Sequence, residues 1–240
     1  MRMIRVGLLL CLASILAFAQ LGGLLKKKNG GNAGGADPAV AMTQAQDLLG
    51  YVTIATDNGV KGVEALATVF PPEKVQKIAD LAVKYNEMKT KRGDQNIDAE
   101  SLQVASDIAE EMAKLDADWQ SHVKEKSAAV KKADARLALV ILADTLAGTK
   151  APETAKALQS VAQDLKSDPT QASKMNRMLA MASVLTAVGK EAPKQAASFK
   201  TVRGITKRIA EAEKVQLTAD PSPDQVKDKS SLTTSSKSCD

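Results

Sequence analysis

A chain with one histidine, two cysteines and 28 carboxylates has few ways to assemble a reactive centre. His122 follows Asp118 by one helical turn and lies close to Asp116, so the three side chains could share a helix face and hold a weakly bound divalent ion. The same spacing describes an ordinary solvated face. A zinc centre calls for two or more His or Cys ligands, and beyond the N-terminal segment the one thiol is Cys239. Paired Glu-x-x-His motifs for a di-iron bundle and a C-x-x-C-H haem attachment are both absent from the sequence. His122 with Met175, Met178 or Met181 would make an axial haem pair, but methionines inside helices serve more simply as adaptable core packing. The glycine patterns of phosphate-binding loops and the G-x-S-x-G turn of hydrolases are also missing. No catalytic residue, metal or cofactor is expected, and the chain reads as a non-enzyme.

Other partners are bounded in the same way. Trp119, Tyr51 and Tyr85 are too few for a platform that stacks sugars or bases, so no nucleic acid is expected. The formal charge is +5; losing Arg2 and Arg5 with a leader takes 33 basic residues to 31 against 28 acidic, a formal +3. That mild excess fits a mixed, solvated surface better than a dedicated anion-binding face. In an oxidising compartment Cys239 would cross-link two copies or a partner, or remain an inert terminal residue.

The compartment is the most legible property. Met1–Arg5 is short and basic, Val6–Ala19 is almost wholly apolar, and Ala17-Phe18-Ala19 supplies the small-x-small pattern of a cleavage site before Gln20. Residues 1–19 therefore read as a secretory signal peptide cleaved near Ala19, giving a periplasmic or secreted protein. The competing reading is a retained anchor over Val6–Leu25, with basic residues on both flanks. Residues 20–36 are Gly-rich with Lys26, Lys27 and Lys28, which reads as a flexible tether.

The remainder must be helical. Aromatic residues make up 2% of the chain and no strand-like alternation occurs, so the fold class is all-α. Residues 37–217 form the patterned domain, expected as an antiparallel bundle of six to seven helices, and Ser/Thr-rich residues 218–240 read as a disordered tail. Asp37-Pro38 opens the first helix, whose stripe of Met42, Ala45, Leu49, Val52, Thr56, Gly59, Val63, Leu66 and Phe70 alternates spacings of three and four. Its middle is small: Ala55, Thr56, Gly59 and Gly62 form either a close-packing patch or the wall of a pocket between helices. Pro71-Pro72 restarts the chain, and Asp98 caps a third helix. Residues 99–147 hold no Gly or Pro, and a break near Asp116–Asp118 is favoured over one helix of about 75 Å. Helix stops are then expected at Gly148 and Gly189, with new starts at Pro152, Pro169 and Pro193.

Leu137–Ala143 is an unbroken run of seven apolar residues, which predicts a helix covered on all sides at the bundle's axis. These features favour an exported, non-catalytic binding, adaptor or structural module, with an envelope protein or membrane surface as partner and oligomerisation open. Two other readings stand beside it: a membrane-active or lipid-binding helical protein, and a small-ligand carrier with its pocket at the small patch.

Overall fold

The computed structural model describes residues 37–93, 95–115 and 126–239. The expected leader and tether, the group of Asp116, Asp118 and His122, and Trp119 lie outside the described residues. Among the described residues the protein is all-α, with six α-helices and no strand. They are α1 (Pro38–Ala67), α2 (Pro72–Arg92), α3 (Ala99–Ala113), α4 (Ser127–Asp164), α5 (Ala172–Ala212) and α6 (Lys229–Lys237).

The helix starts follow from local chemistry. Asp37, Asp98 and Asp228 each accept a backbone N–H in the turn they precede, at 2.8, 2.7 and 2.7 Å, satisfying a donor that the helix itself cannot. Gly93, at φ +58°, ends α2 in the left-handed region that a side chain would disfavour. α3 stops at Ala113 and α4 starts at Ser127; the break expected near Asp116–Asp118 lies outside the described residues. The N–H of Lys114 bonds back to Glu111 O and that of Leu115 to Met112 O, both at 3.2 Å, tightening the last turn.

The largest departure from expectation lies in α4 and α5. Gly148 and Pro152 do not separate two helices; α4 runs through both to Asp164. Likewise α5 runs through Gly189 and Pro193 to Ala212. An internal proline withholds an N–H from the carbonyl four residues back and costs about 3 kcal/mol in an isolated helix. Here each proline stands four residues after a glycine, as Gly148-Thr-Lys-Ala-Pro152 and Gly189-Lys-Glu-Ala-Pro193. Each glycine receives the other helix's proline ring: a Cβ on Gly148 would lie 3.0 Å from Pro193 Cγ, and one on Gly189 would lie 2.8 Å from Pro152 Cγ. Tertiary packing offsets the local penalty, because among the described residues α4 and α5 form the most extensive helix contact. Met178, Ala182, Leu185, Val188, Ala192, Phe199 and Val202 continue one buried stripe past Pro193. Ala172 and Leu179, whose spacing with Met175, Ala182 and Leu185 predicts an inward face, are exposed.

α1 supplies the second large contact of α4 and also touches α2, α3 and α5. Its stripe from Ala45 to Leu66 is buried throughout, and Met42 is half-buried. Of the run expected to be covered on all sides, Leu137, Ala138, Leu139, Val140 and Ala143 are buried, while Ile141 and Leu142 are half-buried. The axis of the fold therefore has one partly open edge, continued by exposed Thr145.

The tail also differs from its expected disorder. After α5 the chain reverses at Lys214, whose φ of 55° is left-handed. Val215 N–H then bonds to Ala210 O at 2.8 Å and Lys214 N–H to Glu211 O at 3.3 Å, closing the helix end. A 3-10 turn over Pro223–Val226 leads to α6, which lies across α1 and α4. Composition misled here because the segment's few apolar residues are well placed: Val226 and Leu232 are 3% and 0% exposed.

Candidate functional site

The strip of α1 and α4 beneath the C-terminal segment gathers four buried polar side chains. Tyr51 and Asn58 lie two turns apart on one face of α1, and Arg136 and Asp144 lie about two turns apart on α4. All four are buried, at 4, 5, 1 and 1% exposure. An α-helix brings residues spaced by seven or eight to the same side, which is why one short segment can cover each pair.

The bonds across this seam are specific. Tyr51 Oη donates to the carbonyl of Val226 at 2.7 Å. Asn58 Nδ2 donates to Ile54 O at 2.8 Å and to Ser236 Oγ at 2.7 Å, while its Oδ1 accepts from Arg136 Nη1. That uses both amide protons and fixes the amide's orientation. Ser236 Oγ passes its own proton to Leu232 O at 2.6 Å, and Ser235 Oγ donates to Gln225 O at 3.1 Å. The C-terminal segment is thus fastened to α1 by side-chain hydrogen bonds as well as by Val226 and Leu232.

Asp144 is the exception. Neither of its oxygens has a hydrogen-bond partner. Burial pushes its carboxyl well above the usual carboxylate range, so it favours the neutral acid. Burial also pushes the Tyr51 phenol upward, and the neighbouring carboxyls of Asp144 and Asp228, once ionised, add to that. Asp228 is held low by the backbone hydrogen bond from Ser231.

Two other polar groups lock the frame. Tyr85 Oη donates to Asp57 Oδ1 at 2.6 Å; Lys89 and Arg92 meet the same carboxylate at 2.9 and 3.3 Å, joining α2 to α1. Burial, then the Asp57 charge, pushes Tyr85 upward. Arg203 grips buried Asp134 with Nε and Nη2 at 2.9 and 3.3 Å, and Nη2 also reaches Asp220, pinning the connection between α5 and the C-terminal segment.

The small patch singled out from the sequence sits elsewhere on α1. Ala55 and Thr56 are 0% exposed, and Thr56 Oγ1 is buried without a hydrogen-bond partner. At Gly59 a Cβ would lie 2.4 Å from Phe199 Cζ, and at Gly62 it would meet Arg136 Cβ at 3.3 Å and Leu137 Cγ at 3.2 Å. Two surface hollows of about 430 and 520 Å³ are lined by other residues, Val83 and Asn86 in one and Gln103 and Gln159 in the other. Cys239 is half-buried, its Sγ directed at Ser235 O at 3.4 Å. Asp116, Asp118 and His122 lie outside the described residues. Among the described residues no group of three or more His, Cys, Asp or Glu side chains is placed to hold a metal.

Tyr51, Asn58, Arg136 and Asp144 did not stand out as a set in the sequence. The one signal was that Arg136 and Asp144 bracket the apolar run 137–143. Ionisable residues bounding a buried run are unusual, because a buried charge needs a partner.

Among the described residues no helix is long and apolar enough to cross a membrane. No family model, no curated protein and no solved structure matches this chain.

Proposed function

We propose that this chain is an exported, non-catalytic helical protein that works by binding, as an adaptor or structural module of the periplasm or cell exterior. The basic start, the apolar stretch to Ala19 and the Ala17-Phe18-Ala19 site support export, with residues 20–36 as tether. An antiparallel bundle is supported by the order of contacts between α4 and α5: Gly148 meets Pro193 while the later Pro152 meets the earlier Gly189. The observation that carries the binding role is the docking of residues 223–237 across α1 and α4. A short helix laid into a groove between longer ones is a recurring mode of peptide recognition, in which a few apolar anchors and polar contacts set affinity and register. Here the frame presents such a groove and the chain's own C-terminus occupies it.

Native mass spectrometry of the protein taken from the cell envelope tests this reading. The expected species begins at Gln20 and carries a second macromolecule at fixed stoichiometry. A free monomer retaining Met1 would contradict both parts.

A further inference from the structure

We propose that the α1–α4 groove is a docking site for a basic amphipathic helix from another protein, which displaces the chain's own C-terminal helix and sets a lysine or arginine against Asp144. The inference rests on the binding role above and names the chemistry of the partner.

The resident helix is a poor occupant of this groove. α6 has nine residues, below the length at which a helix holds itself together in water. Its sequence, Lys-Ser-Ser-Leu-Thr-Thr-Ser-Ser-Lys, is dominated by residues of weak helix preference. Its one buried apolar side chain is Leu232, and Val226 of the preceding turn adds another. The approach to it turns at Lys214, a non-glycine residue in left-handed backbone, which stores strain at the pivot. Docking at one end is well made, through Asn58, Arg136 and Ser236. Towards the other end neither oxygen of Asp144 has a hydrogen-bond partner, and the lysine that the segment brings to this end, Lys229, lies against Gly50 instead.

Asp144 makes the groove selective. A buried carboxyl without a partner is destabilising, and a cation brought to it gains a charge-assisted hydrogen bond in a site closed to water. The two elements of the C-terminal segment, the turn at Pro223–Val226 and α6, both contact α4. Tyr51, bonded to that turn through Val226 O, lies near enough to feel the Asp144 charge. Removing the segment therefore opens the seam at its Tyr51 end, the end at which Asp144 lies. An apolar face with a lysine or arginine at its edge matches what is uncovered, because long basic side chains lay their stems on apolar surface and extend the charge. A glutamate in that position would face a like charge or an unsatisfied acid.

The half-buried Cys239 reports displacement, since it rides at the end of the same segment. In the full chain carrying Cys11→Ser it is the only thiol. Its reaction with a chromogenic disulfide is followed in the presence of two synthetic amphipathic helices of about 18 residues, identical except for Lys or Glu flanking the apolar face. The Lys peptide is expected to accelerate the reaction saturably by about tenfold or more, and the Glu peptide by less than about twofold. Asp144→Asn, which keeps the shape but cannot ionise against the incoming cation, should bring the Lys peptide down to the level of the Glu peptide; circular dichroism of the variant checks that it folds. Equal acceleration by both peptides, no acceleration by either, or a Lys effect that survives Asp144→Asn would each overturn the proposal. Failure here with a partner present in the envelope species would reject the basic-helix chemistry alone. Success here with only a free monomer in the envelope would reject the adaptor role alone.

Discussion

Two edges of α4 are built from opposite materials. Towards α5 the contact is apolar and interlocked, each glycine shaped to the other helix's proline ring, with the buried stripe running unbroken past Pro193. Towards α6 the same helix presents Arg136 and Asp144, and the covering segment is short, rich in Ser and Thr, and held by side-chain hydrogen bonds. Burying apolar surface stabilises in proportion to area and needs no partner, whereas each buried polar group needs one. The first edge holds through apolar area alone, whereas the second depends on matched polar partners.

The sharpest way to break this contrast is to truncate an anchor on each side. Phe199 fills the space left by Gly59, so Phe199→Ala should lower global stability by about 3–5 kcal/mol in urea denaturation. Leu232→Ala can remove no more than the docking free energy of one short helix, about 1–2 kcal/mol. Equal losses would mean that the C-terminal helix belongs to the same cooperative unit as the frame.

The interlock is tested next. Gly189→Val sets a branched side chain where even a Cβ would lie 2.8 Å from Pro152 Cγ, and should lower stability by about 1–3 kcal/mol. An unchanged urea midpoint would show that α4 and α5 do not depend on the close approach.

Asp144 gives a pH-dependent difference. Its folded-state carboxyl is raised by burial, so the folded protein keeps a proton that the unfolded chain releases once pH passes the ordinary Asp range. Stability is unaffected by this group at about pH 3, where both states are protonated, and falls as pH rises from there, by at most about 1.4 kcal/mol per pH unit. Asp144→Asn should match the parent at about pH 3 and become progressively more stable towards neutrality. Parallel stability curves for the two proteins would show that Asp144 carries no burial penalty.

The smallest expected effect lies at the pivot. Lys214→Gly relieves a left-handed side-chain conformation at an exposed helix end and should stabilise by about 0.5–1 kcal/mol. A loss of stability would mean that the Lys214 side chain does something the backbone geometry does not reveal.

The two edges also differ in how far they could be read from sequence. Helical class and the α1 stripe were legible because apolar spacing of three and four directly records a buried face. The proline and glycine pairs misled because their local meaning, as helix stops, was overruled by a partner helix 41 residues away whose motif mirrors them. The tail misled for a related reason: average polarity hides two apolar residues that land on a prepared surface. The seam itself was nearly invisible, since Tyr51 and Asn58 become neighbours of Arg136 and Asp144 only after α1 and α4 pair. The motif at each glycine and the charges bracketing residues 137–143 were the available signals, and both required comparing distant segments.

Amide hydrogen exchange of the full chain tests the central contrast most directly, because it resolves local opening from global unfolding. The amides of Leu232–Ser236 should exchange at least about a hundredfold faster than those of Leu137–Val140 and Ala182–Leu185, at a rate that does not follow global stability. Protection of all three segments at the same level would contradict the account, making the C-terminal helix a fixed part of the frame.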